Sequence, residues 1–370
     1  MALKISSILK NYPDVFIATN EDNEDLLSFF QNTPMEGKGL ILNYLRSPNF
    51  FTFLHCQSNE HLVFILKING TIEGVATIVI KSCYIHGKIT RIGYLGDLRV
   101  NKSKNNSVLW RSLYNEIINN SKEIEEIKTE YFLTAVIDSN AKAQKALVKK
   151  RENSFIYHHL TAYKMVNIYF RKPWHTKNRN YVIRRATPQD QSLLLNFWLK
   201  HESLKPFGQP ELVDHALKNW KNFSIEDFVL VFSQDQLVGM CGLWSPSYCK
   251  KITIEKFPLI LKIISILLRL RRKSFPLEGQ ELRPLYLTHL NFEQPSILKD
   301  LLDYIYELPI TQKFHILSYC HFPFYDQYKI DDAFICQKMD MSLFQVIDGR
   351  HPEIKITDKN HPPGFEMSLV

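Results

Sequence analysis

Among the residues able to do chemistry, Asp97 is the most informative. It lies in the run Gly96-Asp97-Leu98-Arg99-Val100, which reads as a strand. Alternation along a strand sets Asp97 and Arg99 on one face and Leu98 and Val100 on the other. A carboxylate placed so can accept a proton or pair with Arg99 or Arg91. The adjacent His158 and His159 point to opposite faces of their strand and are not expected to share a metal ion; no metal is predicted. His289 and Asn291 suit either a pocket wall or buried structural positions. The segment Phe322-Pro323-Phe324-Tyr325 suits packing, because no basic cluster interleaves with it. The six cysteines form no CxxC pair and read as reduced, mostly buried thiols of a cytosolic protein.

The elements that must position these residues occur in one order, twice. In the first half, a strand at Val15–Thr19 leads to a helix around Leu26–Phe30, capped by Asn20 or Asp22. A second helix is expected around Leu40–Leu45. Strands follow on either side of Asn69-Gly70, a hairpin turn, and around His86-Gly87, the last running from Arg91 to Val100. Then come a helix over Val108–Ile118, a buried strand at Phe132–Ile137, a short helix opened by Asn140, and a strand over His159–Phe170. The polar stretch Arg171–Asn180 with Pro173 reads as a linker. The order begins again at Tyr181 and ends with a strand over Ala333–Phe344. Two domains result, residues 1–172 and 181–348, followed by a polar tail, 349–370, expected on the surface or disordered.

Composition agrees with this plan. A chain of 370 residues, 45% hydrophobic and 23% charged, suits two globular domains. No uncharged apolar run reaches the ~18 residues a membrane span needs, and a cytoplasmic protein is expected. The net charge of +8 favours an anionic partner. The apolar stretch after Pro258 ends in Arg269, Arg271, Arg272 and Lys273. It suits a lid, burial between the domains, or a helix on an anionic membrane surface.

Four segments resemble the GNAT superfamily of N-acyltransferases. Arg185-Ala186-Thr187-Pro188-Gln189-Asp190 is similar to the family's opening strand-to-helix motif. Ile72-Glu73-Gly74-Val75-Ala76-Thr77 and Leu237-Val238-Gly239-Met240-Cys241-Gly242 are similar to its central hairpin, and Gly96–Val100 to the strand before its acyl-CoA loop. The resemblance implies two tandem α/β (α+β) folds, each a mixed, mostly antiparallel sheet flanked by helices. It implies an acyl-CoA donor, acetyl-CoA being expected, and a small-molecule or peptide amine as acceptor. Pantetheine would lie along Leu98, Arg99 and Val100. Pyrophosphate would meet Lys104, Asn105, Asn106, Ser107 and Val108 at the next helix start, with Asn140 nearby. Asp97 becomes the expected base, and Tyr157 or Tyr163 the acid for the leaving thiolate. The loop departs from the family in lacking glycine, so Val108 and Trp110 are expected to crowd the donor, with Lys102, Lys104 and Ser107 compensating. The second half places Glu293 and Pro295 in the equivalent loop, which disfavours an anion there. It is expected to support the first half or to shape the acceptor pocket. An aminoacyl-tRNA-dependent transferase and an inactive binding module are the alternatives; nucleic acid is otherwise not an expected partner.

Overall fold

The computed structural model describes residues 3–33, 35–36, 41–101, 104–148, 155–175, 180–256, 262, 266, 275–325, 330–348, 353–354, 356 and 360–370. Apart from Lys262 and Ile266, the basic apolar segment 258–273 lies outside them, as does Lys102.

The first half comprises α1 (Ile5–Leu9), β1 (Val15–Ile17), α2 (Asn23–Asn32), β2 (Met35–Glu36), β3 (Ile41–Leu45), α3 (Phe50–Gln57), β4 (Glu60–Ile68), β5 (Thr71–Ile85), β6 (Lys88–Val100), α4 (Lys104–Asn119), β7 (Phe132–Ile137), α5 (Ala141–Ala143) and β8 (Ile156–Arg171). The second comprises β9 (Val182–Arg185), α6 (Gln191–Leu204), α7 (Leu212–Asn219), β10 (Phe228–Ser233), β11 (Gln236–Trp244), β12 (Lys251–Lys256), β13 (Glu281–Leu282), β14 (Pro284–Phe292), α8 (Ile297–Glu307), β15 (Ile316–His321), α9 (Ile330–Ala333) and β16 (Phe334–Ile347). The turns at Asn69-Gly70 and His86-Gly87 have positive φ at both residues, the backbone a two-residue hairpin loop needs. Gln234-Asp235 makes the equivalent turn between β10 and β11 without a glycine, at φ 47° and 62°.

Twelve strands form one mixed sheet in the order β1-β4-β5-β6-β7-β16-β8-β15-β14-β11-β10-β9. The pairs β6–β7 and β14–β15 are parallel, and the other neighbours antiparallel. Read from either edge inward, five strands of one half come in the same sequence, and the last strands are exchanged. β16, from the second half, lies against β7; β8, from the first, lies against β15. The two exchanged strands pair with each other from Phe334–Arg171 to Ile347–Ile156. The sheet is therefore continuous through both halves.

Helices cover both faces because the strands alternate. In the first half Phe64, Ala76, Ile78 and Leu95 face α4, where Trp110, Leu113 and Ile117 are buried. Val63, Ile65, Val75 and Val79 face α2 and α3. In the second half α8 packs on Val229, Val231 and Cys241, while α6 and α7 pack on Phe228, Leu230 and Met240.

Two expectations are corrected here. The helix placed at Leu40–Leu45 is the strand β3 over its described part; β3 and β12 are the inner strands of a second, four-stranded sheet, β13-β12-β3-β2. A five-residue apolar run suits either element, and pairing with a distant strand decides it. The helix expected there comes later, as α3, where the Asn49 side chain accepts the Phe51 amide. The tail is also not a surface tail over its described end. Pro363, Gly364, Glu366, Met367, Ser368 and Leu369 are buried. Gly364 donates its amide to Pro206, and a Cβ on it would lie 2.5 Å from the Gly208 Cα, so this contact requires glycine.

Candidate active site

Each parallel pair opens into a fork. β6 pairs with β7 at Gly93–Phe132 and Tyr94–Leu133, and the pairing stops there. β6 then carries a bulge: Val75 faces Arg99 and Thr77 faces Gly96, so Ala76 alone faces Asp97 and Leu98. Asp97 takes φ 51°, an uncommon value for a residue with a Cβ. The extra residue bends the strand away from β7. Across the gap the Thr134 hydroxyl donates to the Leu95 carbonyl at 2.8 Å. The second fork repeats this. β14 pairs with β15 from Pro284–Ile316 to Tyr286–Ser318, Cys241 alone faces His289 and Leu290, and His289 has φ 51°. Asp97 and His289 are therefore equivalent, in segments that share only the framing residues Tyr94, Leu95 and Leu98 with Tyr286, Leu287 and Leu290.

Asp97 is held at the first fork as one member of a buried charge cluster. The Arg46 guanidinium donates to its carboxylate at 2.6 Å. Burial alone would raise the Asp97 pKa; Arg46 first, then Arg99 and Lys250, outweigh it and hold the carboxyl below the usual range. The ion pair expected with Arg91 does not form: Arg91 holds Glu60 instead, at 3.0 and 2.5 Å. Arg99 lies over the Phe30 ring at 4.0 Å and donates to the Thr33 carbonyl at 2.7 Å. Burial first, then Arg46, lowers its pKa to about 10. Arg46 follows β3 directly and Lys250 precedes β12 directly, and the antiparallel register sets Leu45 opposite Lys251. Both cations lie on the Phe53 ring, at 4.0 and 4.8 Å. Lys250 donates to the Val370 backbone oxygen. Burial first, then Arg46, lowers its amine to about 7.

Other predicted residues fall as follows. Leu98 is exposed and Val100 half-buried against the layer under α4. Lys104 and Asn105 lie in α4, and their side chains are outside the description. Asn106 is buried, and Ser107 and Val108 are exposed on the first turn. Trp110 does not crowd the fork. Its indole is buried beneath the sheet against Gly74, where a Cβ would lie 2.6 Å from Nε1. Asn140 is engaged in capping α5, its side chain accepting the Ala143 amide at 3.0 Å. Tyr157 packs half-buried on Phe155 and Phe344, and burial raises its pKa. Tyr163 is fully buried against Phe322 and Phe365, its hydroxyl without a hydrogen-bond partner among the described residues and its pKa raised by burial. They pack into different clusters, Tyr157 with the α4 layer and Tyr163 with the end of the tail. Both expectations of a thiolate acid meet the same difficulty, since burial weakens a phenol as an acid.

The second fork holds a cavity of about 70 Å³, walled by Trp198, His201, His289, Asn291, Phe322 and the tail segment 361–367. Glu202 accepts from Lys205 at 2.7 Å, from Asn291 at 3.1 Å and from the Gln209 amide at 2.7 Å. Glu366, from the tail, accepts the His289 amide at 2.9 Å. The chain's own side chains thus take up polar positions along this fork. Glu293 at its mouth pairs with Lys200 at 3.1 Å. Among the described residues, no group of three or more His, Cys, Asp or Glu side chains could hold a metal ion, and no helix is long and apolar enough to cross a membrane.

The fold is similar to that of solved structures. N-myristoyltransferase from Saccharomyces cerevisiae with bound myristoyl-CoA superimposes over 90% of this chain and 83% of that one, at TM-score 0.57 and 11% identity. The chain has a tandem GNAT fold. A second structure of the yeast enzyme, with bound myristoyl-CoA and inhibitors, matches 90% of this chain and 80% of that one, at TM-score 0.56 and 11% identity. No protein-family model matches the sequence, and no curated protein is similar to it.

Proposed function

We propose that the chain is an acyl-CoA-dependent N-acyltransferase, with residues 1–172 binding the donor and residues 181–348 supporting the acceptor. The observation that carries this is the first fork: a parallel pair that opens at a bulge, followed directly by the start of α4. Pantetheine would run along Leu98, Arg99 and Val100. The pyrophosphate would meet the first turn of α4, where the helix start favours an anion and Asn106, Ser107 and Val108 lie. In the transfer, the acceptor nitrogen bonds to the thioester carbon, the carbon–sulfur bond breaks, and the nitrogen's proton neutralises the departing thiolate.

Asp97 keeps its place in the site, with a changed role. A carboxylate stabilised by three cations is a poor proton acceptor at neutral pH, so it serves better to hold Arg46 than to deprotonate an amine. We assign acetyl-CoA as the donor, because Thr134 bridges the fork to Leu95 just beyond the last paired residues and Leu95 and Leu133 are buried there. Titration calorimetry with acetyl-CoA and myristoyl-CoA tests both parts. Ser107→Glu adds a like charge at the proposed anion site and is expected to weaken acetyl-CoA binding at least tenfold, while Ser296→Glu, at the start of α8, leaves it unchanged. Loss on Ser296→Glu alone would move the donor to the second half. Binding of neither donor would favour the inactive module, and tRNA retained through purification the aminoacyl-tRNA-dependent transferase.

A further inference from the structure

The charge cluster at the first fork is unbalanced. Arg46, Arg99 and Lys250 converge on Asp97, the single carboxylate side chain among them in the described residues. Buried charges persist when paired, and an uncompensated one is costly. Arg46 and Lys250 are each only 5% exposed. The second terminal nitrogen of Arg46 is buried and has no acceptor among the described residues. Val370 offers Lys250 a backbone oxygen. Even a full negative charge on that oxygen would leave three cations to two anions. The two cations are also fixed in place, because the β3–β12 register sets them side by side and the Phe53 ring supports both.

We propose that Arg46 and Lys250 form a recognition site for a carboxylate carried by the acceptor, so that the amine acylated here belongs to an amino acid or a similarly acidic small molecule. This rests on the acyltransferase reading for the word acceptor, though the anion site stands on the cluster alone. A planar guanidinium with a free edge and a neighbouring ammonium match the two oxygens of a carboxylate. Donor phosphates are the other source of negative charge, but the start of α4 provides for those. The same cluster would disfavour polyamines and other cationic acceptors, which would bring like charge to an already positive site.

Thermal unfolding of the full chain at pH 7 and constant ionic strength separates the sources. The probes are N-acetylglycine, N-acetylglycinamide and CoA. N-acetylglycine at about a hundred times its Kd should raise Tm by roughly 3–4 °C, while the uncharged amide leaves it unchanged. The shift should survive saturation with CoA, and Lys250→Met should weaken N-acetylglycine binding about tenfold or more while leaving the CoA shift intact. Equal shifts from acid and amide would overturn the proposal. So would a shift unchanged in Lys250→Met, or one abolished by CoA. A chain that responds to N-acetylglycine and not to CoA would keep the anion site and remove the donor reading.

Discussion

Replacing Lys250 with methionine should make the ligand-free protein more stable, and only at low pH. The amine is nearly fully buried, and its pKa falls from 10.5 to about 7 on folding, through burial and then the nearby Arg46 charge. The unfolded chain therefore binds the proton more tightly than the folded one. Between about 7 and 10.5 the unfolded state carries the extra proton, so stability rises with pH across that window; below it the full cost of charging Lys250 is present. Three and a half decades at ~1.36 kcal/mol each set an upper bound of ~5 kcal/mol. Relaxation, and the loss of the bond to Val370, should leave roughly 2 kcal/mol of the gain. Methionine keeps the aliphatic contact with Phe53 and removes the charge. Urea unfolding of both proteins at pH 6, 8 and 10 measures the difference. The expected result is a variant more stable at pH 6, with the advantage shrinking toward pH 10. A variant less stable at pH 6, or a difference independent of pH, would refute the view of Lys250 as a strained, unbalanced cation.

Asp97→Asn tests the opposite charge. It removes the carboxylate that the cations share, and should cost about 3–5 kcal/mol in denaturant unfolding at pH 7. If turnover also falls while the protein stays folded and acetyl-CoA affinity holds, the carboxylate contributes to the transition state; turnover unchanged in a folded variant confines it to anchoring Arg46. Gly364→Val puts a side chain where the tail meets the Gly208 backbone, and should release the segment that walls the second cavity. Limited proteolysis should then cleave the tail near residues 360–370, and a tail as resistant as in the wild type would show that the contact yields without loss.

Much of the fold was legible because its signals are local. Asn69-Gly70 and His86-Gly87 mark their turns through the φ values they tolerate, and Thr187 with Asp190 forms the capping box that opens the second half. Leu109, Leu113 and Ile117, spaced four apart, mark the face of α4 that packs on the sheet. Asp97 stood out for the same kind of reason, as a carboxylate inside a strand. What escaped notice depends on contacts between distant residues. Ile41–Leu45 is a strand because β2 and the distant β12 lie on either side of it. Arg46 and Lys250 come from the two halves of the chain, and each alone looks like an ordinary surface cation. The bulge could not be read at all, since one extra residue in a strand leaves no mark on composition. The tail's polar, proline-containing sequence pointed outward, yet Glu366 is buried because the His289 and Ser368 amides satisfy its oxygens.

The exchanged strands set the order in which the molecule can be made. During synthesis β7 emerges with an open edge, and β8 follows with neither of its final neighbours yet translated. β15 and β16 arrive more than a hundred residues later, so the centre of the sheet closes last. Until then the nascent first half carries unpaired strand edges, the part of a β protein most apt to pair with the wrong chain. Contacts of such long sequence separation also slow folding, because the loop between them must be ordered before any pairing rewards it. The same arrangement makes the halves inseparable: cutting the chain at the linker yields two fragments, each lacking a partner for an inner strand, which become whole only by finding one another.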